Sequence, residues 1–245
     1  QLHVKQWNGT SWVNVGNAIG ERAGSPSLAL DSKDNPVLAW AESNSTFNAA
    51  SILVRRWDGN AWQSVGAALN TGFGRVPSLR VDASDRPVVA WEEWDAVNNI
   101  YVKRFDGSQW VSVGDSLDTA PEPWAKTPSL ALDAAGNPMV AWTEADADSN
   151  PSRSLLYVKR WNGSQWEFVK FAGPLNSDSK GRAFDPSLQL DREGTPFLTW
   201  HEAFTDKSLV VLKYVRENFW QTLETNSKTT HSYTPALTLD VDGNP

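Results

Sequence analysis

The sequence repeats itself about every 51 residues, and a fixed period of that length restricts the fold more than any single residue does. Five stretches, Pro26–Asp31, Pro77–Asp82, Pro128–Asp133, Pro186–Asp191 and Pro235–Asp240, alternate apolar with small or polar residues. That period of two marks a strand with one buried face, here strand A. After a turn rich in Asp, Asn and Gly come Pro36–Trp40, Pro87–Trp91, Pro138–Trp142 and Pro196–Trp200, whose nearly continuous apolar runs suit a strand B covered on both faces. Strand C is predicted at Ile52–Trp57, Ile100–Phe105, Leu156–Trp161 and, more weakly, Val210–Val215, with a first copy at Leu2–Trp7. Asn8-Gly9, Asp58-Gly59, Asp106-Gly107 and Asn162-Gly163 predict two-residue hairpin turns into a strand D that opens with Trp12, Trp62, Trp110, Trp166 or Trp220. Arg216-Glu217 replaces the Asn-Gly signal in the last copy and predicts a different turn there.

Successive strand-B tryptophans, Trp40, Trp91, Trp142 and Trp200, lie 51, 51 and 58 residues apart. Four short strands per period, without any 3.6-residue pattern, predict an all-β fold: a β-propeller of four-stranded antiparallel blades. The chain falls fourteen residues short of five periods of about 52. This predicts one domain over residues 1–245 with five blades: 21–70, 71–120, 121–175, 176–225, and a closing blade shared between 1–20 and 226–245. The alternative is a piece of a larger propeller. Gln1 is no initiator methionine and no signal segment opens the chain, so a processed or excised piece is expected.

Composition narrows the function classes. A net charge of -7 repels phosphate backbones and anionic lipid, so nucleic acid is not expected as a partner, and no apolar run is long enough for membrane insertion. The absence of cysteine excludes disulfides, thiol catalysis and thiolate metal sites. Fourteen tryptophans must fill a core or line a ligand surface. Those at strand-B ends and at the C–D turns keep strict register, which predicts core.

The A–B and C–D turns are short and alike, whereas the B–C and D–A connections vary. The two sets lie at opposite blade ends, and the variable end is where binding groups are expected. Its D–A loops place a cation near an aromatic ring: Phe73 with Arg75, Trp124 with Lys126, Arg182 with Phe184, and a looser copy in Lys228, His231 and Tyr233. Arg22 stands alone in the first loop. Strand B ends in Trp-x-Glu, adding Glu42, Glu93, Glu144 and Glu202 at the same end. One reading makes these residues architectural, the aromatics capping blade joints and the Glu pairing with cations. The other makes them sugar-sized sites, with rings stacking on sugar C–H groups and polar side chains bonding hydroxyls.

The string Tyr157-Val-Lys-Arg-Trp-Asn-Gly-Ser-Gln-Trp166 and the Pro-Ser-Leu-Ala-Leu-Asp theme resemble repeats of bacterial secreted or cell-surface β-propeller proteins. More distantly they are similar to kelch and sialidase-type blades. Asp106-Gly107-Ser108-Gln109-Trp110 matches part of an Asp box but lacks its Ser/Thr-x-Asp-x-Gly spacing. The resemblance implies a propeller at the cell surface or outside it, and says little of activity.

These readings converge on a non-catalytic, monomeric carbohydrate-binding module without cofactor or metal. A structural or protein-interaction scaffold is one alternative. A sialidase-like glycoside hydrolase is another, with Arg22, Arg75 and Arg182 beside Glu93 or Glu144. Against it, catalytic carboxylates need distinct environments, and the four Glu share one motif. His3, His201 and His231 fall in no common register. Asp146-Ala-Asp148-Ser-Asn150 and Asp240-Val-Asp242-Gly-Asn244 have alternating oxygen ligands as calcium loops do, but without the distal Glu they read as polar turns.

Overall fold

The computed structural model of the chain describes residues 1–119, 124–145, 153–169, 173–176, 182–203, 208–214, 220–226, 235–240 and 242–245. Arg216, Glu217, Asp146, Asp148, Asn150, Lys228, His231 and Tyr233 lie outside the described residues. The chain separates into two compact units, Gln1–Ala96 with Val102–Val113, and Val97–Tyr101 with Gly114–Pro245.

In the first unit, β1 (Lys5–Trp7) pairs with β2 (Trp12–Asn14). A four-stranded sheet follows: β3 (Ala23–Leu30), β4 (Pro36–Ser43), β5 (Ala50–Trp57) and β6 (Trp62–Ser64) in chain order. The next sheet has the same order, β7 (Phe73–Val81), β8 (Pro87–Trp94), β9 (Asn98–Phe105) and β10 (Trp110–Ser112), the unit boundary running through β9. The second unit holds β11 (Lys126–Leu132), β12 (Pro138–Ala145), β13 (Ser154–Trp161) and β14 (Trp166–Phe168). It also holds β15 (Arg182–Leu190), β16 (Pro196–Ala203), β17 (Ser208–Tyr214) and β18 (Trp220–Asn226). Among the described residues the strands of each sheet pair antiparallel, and one isolated parallel bridge joins Asn98 to Trp124, giving an all-β, propeller-like architecture of four-stranded sheets.

Strand B is buried on both faces, as its apolar run requires: Trp40, Trp91, Trp142 and Trp200 are at most 1% exposed. Strand A buries an alternating face in β7, β11 and β15, Leu79, Leu130 and Leu188 being fully covered, whereas β3 leaves Leu28 and Leu30 exposed. Neighbouring sheets within a unit meet along strand A, where the Leu79 N–H donates to Ser27 Oγ and the Leu188 N–H to Ser129 Oγ, both at 2.9 Å. The Leu237 N–H repeats this with Ser187 Oγ at 3.0 Å.

The C–D tryptophans differ from expectation. Trp62, Trp110 and Trp166 are half-buried, and Trp12 is 65% exposed, because strand D is the edge of its sheet and keeps one face in solvent. The Trp62 and Trp110 indole N–H groups donate at 2.9 Å to the carbonyls of Val15 and Val65. Each ring lies over a glycine; a Cβ on Gly66 would stand 2.8 Å from Trp110.

The C–D turns also differ. Trp7 pairs with Trp12, so four residues close the hairpin rather than two. The reason is the side chain of Asn8, Asp58, Asp106 or Asn162, whose Oδ1 accepts the N–H groups two and three residues on and caps a wider loop. The following glycine takes the left-handed conformation, φ 97 at Gly59 and 108 at Gly107. Hydrogen bonds from the Ala61 and Asn60 amides hold the Asp58 carboxyl below the usual range, and those from Gln109 and Ser108 do the same for Asp106. A depressed folded value stabilises above the unfolded value, and that contribution is lost as pH falls through the folded one. The double change Asp58→Asn, Asp106→Asn keeps the cap, as Asn8 and Asn162 do. It should leave stability at neutral pH unchanged and flatten the acid limb of a thermal midpoint against pH curve; an unaltered acid limb would contradict this.

Candidate functional site

Two cavities of the same construction open at the end carrying the B–C and D–A connections. The first, about 470 Å³, lies in the first unit between Arg22–Ser25, Ala41, Ser43, Phe47 and Ala50 on one side and Phe73 and Arg75 on the other. The second, about 420 Å³, lies in the second unit between Trp124, Lys126, Thr143, Ala145, Arg153 and Ser154 on one side and Arg182, Phe184 and Asp185 on the other. Each is walled by strands A, B and C of one sheet and by strand A of the next.

A β-bulge shapes these walls. The register of strand A shifts between Gly24 and Ser27, Arg75 and Ser78, Lys126 and Ser129, and Phe184 and Ser187. The residue before each proline takes the left-handed region, with φ of 48 at Ser25, 45 at Val76, 49 at Thr127 and 47 at Asp185. For a β-branched residue such as Val76 this conformation is strained. The extra residue puts the alternation out of phase, so the buried face of β7 passes from Gly74 to Pro77 and Leu79. Phe73 and Arg75 are thereby turned away from the buried face. The residue between them must be small: a Cβ on Gly74 would lie 2.6 Å from Ile52 Cγ1, and the equivalents Ala125 and Ala183 are fully buried.

Among the described residues, two of the three expected cation–aromatic pairs form contacts, the exception being Arg182 with Phe184. The Arg75 guanidinium sits 5.5 Å from the Phe73 ring centroid and Lys126 Nζ 5.7 Å from that of Trp124. Arg75 also pairs with the buried Glu92 at 3.0 Å, and Phe184 faces His201 at 6.0 Å. Arg22 has a weak exposed pair with Glu21 at 3.7 Å. Phe47 and Arg153 are cavity residues that sequence reasoning did not single out. Both sit in B–C connections, where an aromatic or a cation within a few residues of strand C was the available signal.

Glu42, Glu93, Glu144 and Glu202 are placed elsewhere. Strand alternation sends Ala41 and Ser43, or Thr143 and Ala145, into a cavity and the intervening Glu to the opposite face. Each carboxylate accepts the indole N–H of the tryptophan two residues before it, at 2.8 Å for Trp40, Trp91 and Trp142 and 3.0 Å for Trp200. Three of them also hold the loop that leads into strand A. Glu42 accepts the N–H groups of Glu21 and Arg22, Glu93 those of Thr71 and Gly72, and Glu144 the N–H and hydroxyl of Thr119. Their environments are not identical. Burial raises the Glu42 carboxyl, but hydrogen bonds from Arg22, Trp40 and Glu21 outweigh it and leave it below the usual range. At Glu144 burial prevails and pushes the carboxyl up.

Among the described residues no group of His, Asp and Glu could hold a metal ion. Asp240 accepts the N–H groups of Asp242 and Asn244, closing a turn on itself. Loss of the loop-holding carboxylate should be costly: Glu93→Ala leaves the Thr71 and Gly72 amides and the Trp91 indole without their acceptor, and should lower unfolding free energy by at least about 2 kcal/mol in urea titrations. Glu93→Gln, which keeps one acceptor oxygen, should cost less; equal stability of Glu93→Ala and the parent would contradict this role.

No family model and no curated protein matches the chain. Solved structures do. An α-L-arabinanase of Penicillium chrysogenum in complex with arabinobiose is similar with a TM-score of 0.61 at 15% identity, over 99% of this chain and 78% of that one. The lectin of Aleuria aurantia in complex with Fucα1-6GlcNAc gives 0.59 at 15% identity, over 91% and 70%. A Dyadobacter fermentans protein of unknown function gives 0.58 at 13% identity, over 82% and 69%. At these identities the likeness establishes a fold shared with sugar-binding and sugar-cleaving proteins, and the fold alone.

Proposed function

We propose that this chain is a non-catalytic carbohydrate-binding module, with sugar rings lying on the aromatic walls of the two cavities. The observation that carries the reading is their common construction: cavities of about 470 and 420 Å³, each combining exposed or half-buried rings with guanidinium or ammonium donors. This volume suits one or two sugar residues, ring faces stack on apolar C–H groups, and the cations donate to hydroxyls. In this reading Phe73, Arg75 and Arg22 serve the first site, and Trp124, Lys126, Arg182 and Phe184 the second. Glu42, Glu93 and Glu144 act by positioning the loops, and Glu202 by accepting the Trp200 indole N–H. A lectin and an arabinanase among similar folds support the carbohydrate class.

The hydrolase reading keeps one specific support, the opposite displacement of the Glu42 and Glu144 carboxyls. Against it, these carboxylates are engaged by indole and backbone donors and line neither cavity. We further propose five blades with the boundaries given by the repeat, a monomeric state, and an extracellular or cell-surface location, where polymeric glycans are met. No helix among the described residues is long and apolar enough to cross a membrane.

Two weak sites carried on one chain gain avidity of about 10²–10⁴ through effective concentration, so polymeric glycans should bind much better than monosaccharides. On a glycan array read with and without calcium, the parent should retain at least one polysaccharide. Trp124→Ala with Phe184→Ala should weaken that retention while the circular dichroism spectrum and thermal midpoint stay put. No retention of any glycan would leave the scaffold reading, and release of reducing sugar would favour the hydrolase. Class averages in electron microscopy should count five blades; another number would refute the division proposed.

A further inference from the structure

The charge of the second cavity is opposite to that of the chain. The protein carries a net charge of -7, yet among the described residues this cavity is lined by Lys126, Arg153 and Arg182 against a single acid, Asp185. Lys126 stands near the start of β11 and Arg182 at the start of β15, on facing walls of the cavity. Among the described residues no carboxylate forms an ion pair with either. Strand pairing explains the contrast with the first cavity. Arg75 lies opposite Glu92, which neutralises it at 3.0 Å, whereas Lys126 lies opposite Thr143, which cannot. The Trp124 ring lies beside Lys126, and the Phe184 ring lines the cavity from the same strand as Arg182.

From this juxtaposition we infer that the second cavity takes an acidic sugar, a uronate, its ring on Trp124 or Phe184 and its carboxylate between Lys126 and Arg182. The inference rests on the carbohydrate reading above and names the substrate class of one of its two sites. A carboxylate held between an ammonium and a guanidinium gains charge-assisted hydrogen bonds that a neutral hydroxymethyl group cannot match. The surrounding negative charge works against loose adhesion of polyanions, so recognition depends on the cavity.

Retention on immobilised polygalacturonate, alginate and hyaluronate, each beside its methyl-esterified counterpart, tests this. At least one acid polymer should be retained about tenfold more strongly than its ester, and the difference should shrink with added salt as the charges are screened. Lys126→Gln with Arg182→Gln should abolish the preference for acid over ester. Lys5→Gln with Lys33→Gln, which removes the same charge outside the cavity, should preserve it. Equal retention of acid and ester, or retention of neutral glycans alone, overturns the acidic-sugar inference while the carbohydrate reading stands. An equal loss in both double variants assigns the effect to overall charge and also overturns it. Failure to retain any glycan removes both.

Discussion

A hydrogen bond between two side chains on one buried strand governs how the variable end is built. The indole N–H of Trp40, Trp91, Trp142 or Trp200 is donated to the Glu two residues later, on a strand whose other buried side chains are mostly apolar. A large buried indole needs an acceptor, and a buried carboxylate needs several donors. At Glu42, Glu93 and Glu144 the remaining donors come from the backbone of the loop entering strand A. The core is thus connected to the loop by polar bonds that tolerate little displacement, and that loop carries the cavity residues.

The bulge completes the connection. Without the extra residue, Phe73 and Arg75 would share a face with Pro77 and Leu79 and compete for the interior. With it, the interior receives Gly74, Pro77 and Leu79 instead. The strain at Val76, of order 1–3 kcal/mol for a left-handed β-branched residue, is offset by burial of that small–proline–leucine face. The same left-handed conformation at Ser25, Thr127 and Asp185 marks the bulge as a property of the repeat.

Much of this fold was legible in the chain because a propeller blade writes itself into sequence as a period, an alternation and a set of turn residues. All five Trp expected to open strand D do so, and strand C begins only two residues earlier than read, at Ala50, Asn98 and Ser154. The candidate site was legible in part. The cation–aromatic pairs were visible as neighbours and are contacts in the fold at Phe73 with Arg75 and at Trp124 with Lys126. The sidedness of Glu42 and Glu144 was not, because a motif seen as a string has no faces until its strand is paired. Nor was the bulge, since the residue before a proline ordinarily favours an extended conformation and nothing in Ser25, Val76, Thr127 or Asp185 announces otherwise. Asn8-Gly9 gave the place of a turn and understated its length, because the side-chain cap adds two residues to the loop.

In three of the four bulged segments a small buried residue, Gly74, Ala125 or Ala183, separates two demands that a strand usually ties together. Packing is met by that residue and by the proline and leucine beyond it, so its neighbours on either side are free of volume constraints. They have used that freedom: Phe and Arg at 73 and 75, Trp and Lys at 124 and 126, Arg and Phe at 182 and 184. Apart from Arg75, which neutralises the buried Glu92, exchanges at these positions alter the chemistry of one cavity without a cost in packing. A chain of such repeats can therefore vary the chemistry of its cavities one at a time, while the copies around each stay as they were.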